Sequence, residues 1–170
     1  MAPEIEAALD QAPAYLRDRI SSFFRMTQAS HTVAALDASS GAVAALVSTA
    51  CAAGVKTVVL PTNFDDEAFG ATKALISALK HAARYDDPTW LIMDCSPEWV
   101  TQSTMENLKT LFDDNKVFCD GSSKLPKIWP LPKNAKVVLF FSTEDIEQKF
   151  KPAFLSRTVV VNFASGRGDD

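Results

Sequence analysis

Apolar positions along this chain fall into short blocks that switch between a helical and a strand-like period. From Glu4 to Met26 they recur as Ile5, Ala8 and Leu9, then Leu16, Ile20, Phe23 and Phe24, a spacing that predicts one or two short amphipathic helices broken near Pro13. Residues 1–30 therefore read as a helical lead-in. Thr32 to Leu36 is a short apolar run ending at Asp37; Ala38-Ser39-Ser40-Gly41 then opens onto a small-residue segment reaching Ala53, which predicts strand, turn and helix. Gly54 stops that helix, and Val55 to Leu60 is a β-branched run closed by Pro61, a second strand.

Asp65 and Asp66 favour a helix start, and Phe69, Thr72, Ile76, Leu79 and Ala83 recur at steps of three and four through to Arg84. After Asp87-Pro88, the run Trp90-Leu91-Ile92-Met93-Asp94 is a buried strand with an acid at its end. Ser96 is placed to cap a following helix with Pro97 at its first position and Trp99, Met105, Leu108, Leu111 and Phe112 on its apolar side. Between Lys116 and Lys133 the turn residues Gly121-Ser122-Ser123 separate two short runs, a loose hairpin. Lys136 to Ser142 predicts a strand, Glu144 to Phe154 a helix, Thr158 to Phe163 a last strand, and Ala164 to Asp170 a disordered tail. Strands alternating with helices need crossover connections, so residues 31–163 are expected to form one α/β domain. Its core would be a mostly parallel five-stranded sheet, covered on both faces.

Composition narrows the function classes. The 170 residues are 47% hydrophobic and 22% charged, a balance that suits a packed globular fold. A net charge of −4 supplies no general basic surface for nucleic acid, although Lys124, Lys127, Lys133 and Lys136 form a local basic stretch. Cys51, Cys95 and Cys119 are far apart and unpaired in pattern, and His31 and His81 are the two histidines, so neither a disulfide framework nor a metal site is expected. The reducing cytoplasm fits that cysteine usage. The N-terminal segment contains no uninterrupted apolar stretch, so neither a signal peptide nor a membrane span is expected.

The position after the first strand is where a phosphate-binding loop would begin. That motif, G-x-x-x-x-G-K-[ST], cradles phosphates with backbone N–H groups, neutralises them with lysine and holds Mg²⁺ through the hydroxyl. Here the corresponding run is Gly41-Ala42-Val43-Ala44-Ala45-Leu46-Val47-Ser48. Gly41 and Ser48 match, but Leu46 stands for the second glycine and Val47 for the lysine, which removes conformational freedom at one place and charge at the other. The plainer alternative is a turn and a helix whose small side chains pack on the sheet. Asp94, ending its buried strand, is suited to hold Mg²⁺ through water. The next residue, where a hydrolysing enzyme carries a glutamate to orient water, is Cys95.

Further residues carry a family likeness. Trp90-Leu91-Ile92-Met93-Asp94-Cys95, Trp99, Met105-Glu106-Asn107-Leu108, Asp113-Asp114-Asn115-Lys116-Val117, Leu139-Phe140-Phe141-Ser142-Thr143-Glu144-Asp145 and Leu155-Ser156-Arg157 together resemble one ring module of a dynein heavy chain. The resemblance covers a little under half of the chain. It implies an AAA+ fold, a P-loop NTPase-like three-layer sandwich, with Asp94 at the Walker B position, Thr143 or a neighbour at the sensor position and Arg157 as an arginine finger acting on a neighbouring module. It also implies neighbouring AAA+ modules or other motor subunits as partners, and a cytoskeletal, ciliary or flagellar location. Loss of both the lysine and the glutamate resembles the ring modules with degenerate sites, so no ATPase activity of this chain and no resident cofactor are expected, with ATP and Mg²⁺ held weakly if at all.

Departures from the family pattern are the run Phe150-Lys151-Pro152-Ala153-Phe154 before Ser156-Arg157, a short stretch from Ser48 to Trp90, and no helical lid subdomain after the last strand. These fit either a fragment of a longer heavy chain or a free-standing relative. The competing functions are a protein-interaction module comparable to inactive AAA+ subunits of clamp loaders or of the midasin class, and an unconventional nucleotide hydrolase that recruits a displaced lysine such as Lys56. Arg157 would otherwise be a surface residue pairing with Glu144 or Asp145. Trp90, Trp99 and Trp129 are expected in the core or at its edge, the alternative being a partner-binding surface.

Overall fold

In the computed structural model, which describes residues 2–121, 124–152 and 158–164, five strands form one sheet: β1 (Thr32–Leu36), β2 (Lys56–Val59), β3 (Thr89–Asp94), β6 (Ala135–Phe141) and β7 (Val159–Asn162). Their order is β2-β3-β6-β1-β7 and all four ladders are parallel. Parallel neighbours cannot be joined by tight turns, so each connection crosses a face of the sheet. One face carries α1 (Pro3–Asp10), α2 (Arg17–Ala29) and α3 (Ser40–Ala52). The other carries α4 (Ala71–Arg84), α5 (Gln102–Asn107), α6 (Lys109–Phe112), α7 (Thr143–Lys149) and the antiparallel hairpin β4 (Val117–Asp120) with β5 (Lys127–Pro130).

The alternation of side chains along the central strands feeds two cores. On β1, Val33 and Ala35 face the first and Ala34 the second; on β6, Val138 and Phe140 face the first and Val137, Leu139 and Phe141 the second. The lead-in helices belong to this scaffold: Phe23 and Phe24 of α2 are buried against Trp90 at ring-centroid distances of 5.5 and 5.0 Å, beneath the same layer as α3. The break foreseen at Pro13 separates α1 from α2, and Arg17 ties the joint by donating to the carbonyls of Leu9, Asp10 and Ala12.

Three boundaries differ from expectation. The helix foreseen from Asp65 begins at Ala71, because Glu67–Phe69 forms a 3₁₀ turn and Gly70, at φ +64°, redirects the chain in a conformation that disfavours other residues. The helix foreseen at Ser96 begins at Gln102, where Thr101 and Thr104 form a reciprocal cap; the Ser96 hydroxyl is engaged instead with the Asp94 carboxylate at 2.7 Å. The helix foreseen to reach Phe154 closes as α7 at Lys149. The tail expected to be disordered lies, from residue 165 on, outside the described residues.

Candidate functional site at the carboxyl edge of the sheet

In open α/β sheets, ligands bind outside the carboxyl ends of the strands, where neighbouring strands send their crossovers to opposite faces. Here β1 leaves through α3 on one face and its neighbour β6 through α7 on the other, so the crevice lies between their ends. Asp37, Ser39, Ser142 and Thr143 come to this crevice directly from the two strands, and Asp94 ends the next strand along, two strand spacings or about 10 Å from β1.

No phosphate loop forms between β1 and α3. Three residues, Asp37 to Ser39, link them, and the helix is already under way at Ser40, capped by the Ser39 side chain accepting from the Ala42 N–H at 3.1 Å. The run from Gly41 to Ser48 is therefore helical throughout. Gly41 lies in the first turn and Ser48 about 10 Å further along the axis, exposed to solvent, so the two matching residues do not converge on one site. The apolar replacements explain the outcome: Leu46 is fully buried with Ala42 and Ala50 against the sheet, where a helix is the conformation that covers the strands.

Asp37 is engaged within this crevice. Its backbone is in the left-handed region at φ +53°, which aspartate tolerates better than most residues, and the carboxylate is thereby turned towards α7. There it accepts from the Thr143 backbone N–H at 2.8 Å and from the Thr143 hydroxyl. Its own N–H donates to the Phe141 carbonyl at 2.9 Å. The clasp closes β1 onto β6 and uses the first free N–H of α7 internally. Glu144 and Asp145 in the first turn of α7, with Asp94 nearby, add further negative charge, which opposes a polyphosphate rather than receiving it.

Asp94 is exposed at the end of β3 and accepts from the backbone N–H and hydroxyl of Ser96 at 3.0 and 2.7 Å. Cys95 is buried, its N–H donating to the Phe140 carbonyl at 2.9 Å. Burial, and secondarily the Asp94 charge, pushes the thiol well above the ordinary cysteine range, which keeps it neutral. Sequence reasoning missed Lys149. From the last turn of α7 its ammonium donates to the carbonyls of Cys95, Ser96 and Pro97 at 2.8, 3.2 and 2.9 Å, with the Asp145 carboxylate at 3.8 Å. One cation so engaged closes the ends of β3 and α7 on each other and has no free donor for a ligand.

Lys56, the displaced lysine considered for a hydrolase, stands at the opposite end of the sheet. It pairs in register with Thr89 at the start of β3, about 16 Å along the strand from Asp94, and its ammonium sits 3.1 and 3.2 Å from the two ring nitrogens of His81. Arg157 lies outside the described residues. Among the tryptophans, Trp90 is buried, Trp129 is half-buried beneath the Lys80 ammonium, and Trp99 is exposed with its indole N–H on the Thr62 hydroxyl.

Two large hollows lie elsewhere. One of about 860 Å³ opens between the start of α4 and the β4–β5 hairpin, and one of about 450 Å³ lies at the amino edge of the sheet; neither is lined by Asp37, Asp94, Thr143 or Lys149. Among the described residues no cluster of His, Cys, Asp and Glu is placed to hold a metal ion, and no helix is long and apolar enough to cross a membrane. No protein-family model matches the chain, and no curated protein matches it.

Proposed function

We propose that this chain is a non-catalytic module built on a P-loop-like AAA+ framework, which acts by occupying a place in an assembly rather than by turning over nucleotide. The observation that carries the reading is the Asp37–Thr143 clasp: a solvent-exposed carboxylate of the chain itself accepts from Thr143 across the β1–β6 crevice. The sheet supports it, with its first strand in the interior, an acid-ended strand beside β6 and helices on both faces. The helical Gly41–Ser48 run and the neutral Cys95 supply none of the cation, loop or base that phosphoryl transfer needs.

The finer reading is a structural and regulatory ring element of a dynein-like microtubule motor, in a cytoskeletal or ciliary setting, with Arg157 reaching a neighbouring module. It rests on the Trp90 to Arg157 resemblance. Calorimetry with ATP and Mg²⁺ is expected to register no binding, and the purified protein no turnover above buffer. Mg²⁺-dependent hydrolysis abolished by Asp94→Ala would overturn the non-catalytic reading. Mass spectrometry of native complexes is expected to find other ring modules or motor subunits with the chain. Replication or ribosome-assembly factors in their place would instead favour a free-standing interaction module.

A further inference from the structure

The 450 Å³ hollow at the amino edge is formed where α1 and α2 overhang the start of β3. Its apolar lining is Ile5, Ala53, Val55 and Pro88, with the buried rings of Phe24 and Trp90 behind them. Most polar side chains around it are already engaged. The Thr27 hydroxyl donates to the Phe24 carbonyl at 2.7 Å and the Thr89 hydroxyl to the Asp87 carbonyl at 2.9 Å. The Asn134 amide is taken up by the carbonyls of Ala82, Tyr85 and Asp87 at 3.0, 2.9 and 2.8 Å. Gln28 and the acidic Glu4 also line it and are exposed to solvent.

Two cations at the rim are different. Lys133 and Lys136 line the hollow, and neither makes a hydrogen bond or ion pair among the described residues. Lys136 is half-buried, and burial together with the charge of Lys116 holds its ammonium below the usual lysine range. A half-buried cation crowded by a second lysine and lacking a counter-ion is electrostatically unsatisfied, and an anion beside it would relieve both effects. An apolar cavity of small-molecule size with one convergent charged corner suits a ligand with an apolar body and a single anionic head.

We propose that this groove binds a small amphipathic anion, its hydrocarbon body laid against Ile5, Ala53, Val55 and Pro88 beside Trp90 and its carboxylate held by Lys136 with Lys133. The site is separate from the carboxyl-edge crevice and does not depend on the AAA+ reading.

The test uses the full chain carrying Trp99→Phe and Trp129→Phe, which leaves Trp90 as the sole tryptophan of the three. Anilinonaphthalenesulfonate, an aromatic anion, is expected to saturate one site and quench Trp90. Lys136→Gln, a change at a half-exposed side chain, is expected to weaken that probe about tenfold, the worth of one charge-assisted contact. The neutral analogue phenylnaphthylamine should change by less than about twofold in the same variant, since apolar burial is retained. Ala53→Leu narrows the groove and is expected to weaken both probes. Sulfonate affinity unchanged by Lys136→Gln, or unchanged by Ala53→Leu in a protein with wild-type near-ultraviolet dichroism, would overturn the proposal. Displacement by octanoate or by phenylpropionate supports it and tells an aliphatic from an aromatic body; displacement by neither overturns the carboxylate assignment.

Discussion

The two ends of the sheet treat charge in opposite ways. At the carboxyl edge Asp37 is engaged with Thr143, Asp94 with Ser96, and Lys149 with three carbonyls and Asp145. At the amino edge, among the described residues, the Lys133 and Lys136 ammonium groups stand unmatched beside an apolar hollow, and His31 Nε2 is buried without a hydrogen-bond partner. A parallel sheet would lead one to look for ligands at the first of these ends. The contrast teaches that the topology offers a crevice but the side chains decide whether it stays open. Here the groups at the carboxyl end engage one another, while Lys133 and Lys136 at the amino end do not find partners among the described residues.

The strongest way to break this contrast is to remove the cation that closes the carboxyl edge. Lys149→Met keeps the aliphatic stem but strands three carbonyls and Asp145, and should cost about 2 kcal/mol of stability by urea unfolding. A loss no larger than that of an exposed lysine variant would mean that the carbonyls find water at no cost and that the closure is unimportant. Asp37→Ala should cost about 1–2 kcal/mol, because it removes both bonds to Thr143 and leaves a residue less tolerant of φ +53° in place. Asp37→Asn retains an acceptor and should lose roughly half as much, so equal losses in the two variants would assign the effect to charge alone.

The smallest expected effect belongs to the amino edge. Burial, then the nearby Lys116, lowers the His31 pKa from its ordinary 6.5, so the unfolded chain takes up that proton more readily than the folded one. Stability should therefore hold above pH 6.5 and decline as the pH falls below it towards the folded value. His31→Gln should flatten this part of the curve in a pH series of denaturant unfolding. An unchanged slope would show that His31 is hydrated in the folded protein.

Much of the framework was legible in the pattern of side chains. The apolar runs ending at Asp37 and Asp94 became β1 and β3, the β-branched run became β2, and the turn-rich stretch after Lys116 became the hairpin. Helix starts were less legible, because Asp65 and Ser96 are good capping residues whose neighbours adopt other turns, while Gly70 and Thr101 set the actual starts. For the candidate site, the absence of a lysine at Val47 and of a glutamate at Cys95 could be read directly. That Gly41 to Ser48 would be helical throughout was not legible from the glycine and serine, since it is the side chain of Leu46, buried on the sheet, that draws the run into the helix. Lys149 left no signal, because a lysine in the last turn of a short helix ordinarily reads as a favourable charge near the helix end.

The order of strands and helices along the chain, and the valine and cysteine at positions 47 and 95, follow from the sequence, because periodicity and residue chemistry act over a few neighbouring positions. The closure of the β1–β6 crevice depends on Asp37 meeting Thr143 from 106 positions away, and the cradle of Lys149 on carbonyls 52 to 54 positions distant. Those meetings were decided by the tertiary structure, since only the stacking order of the strands sets which loop ends share an edge and which charges find a partner there.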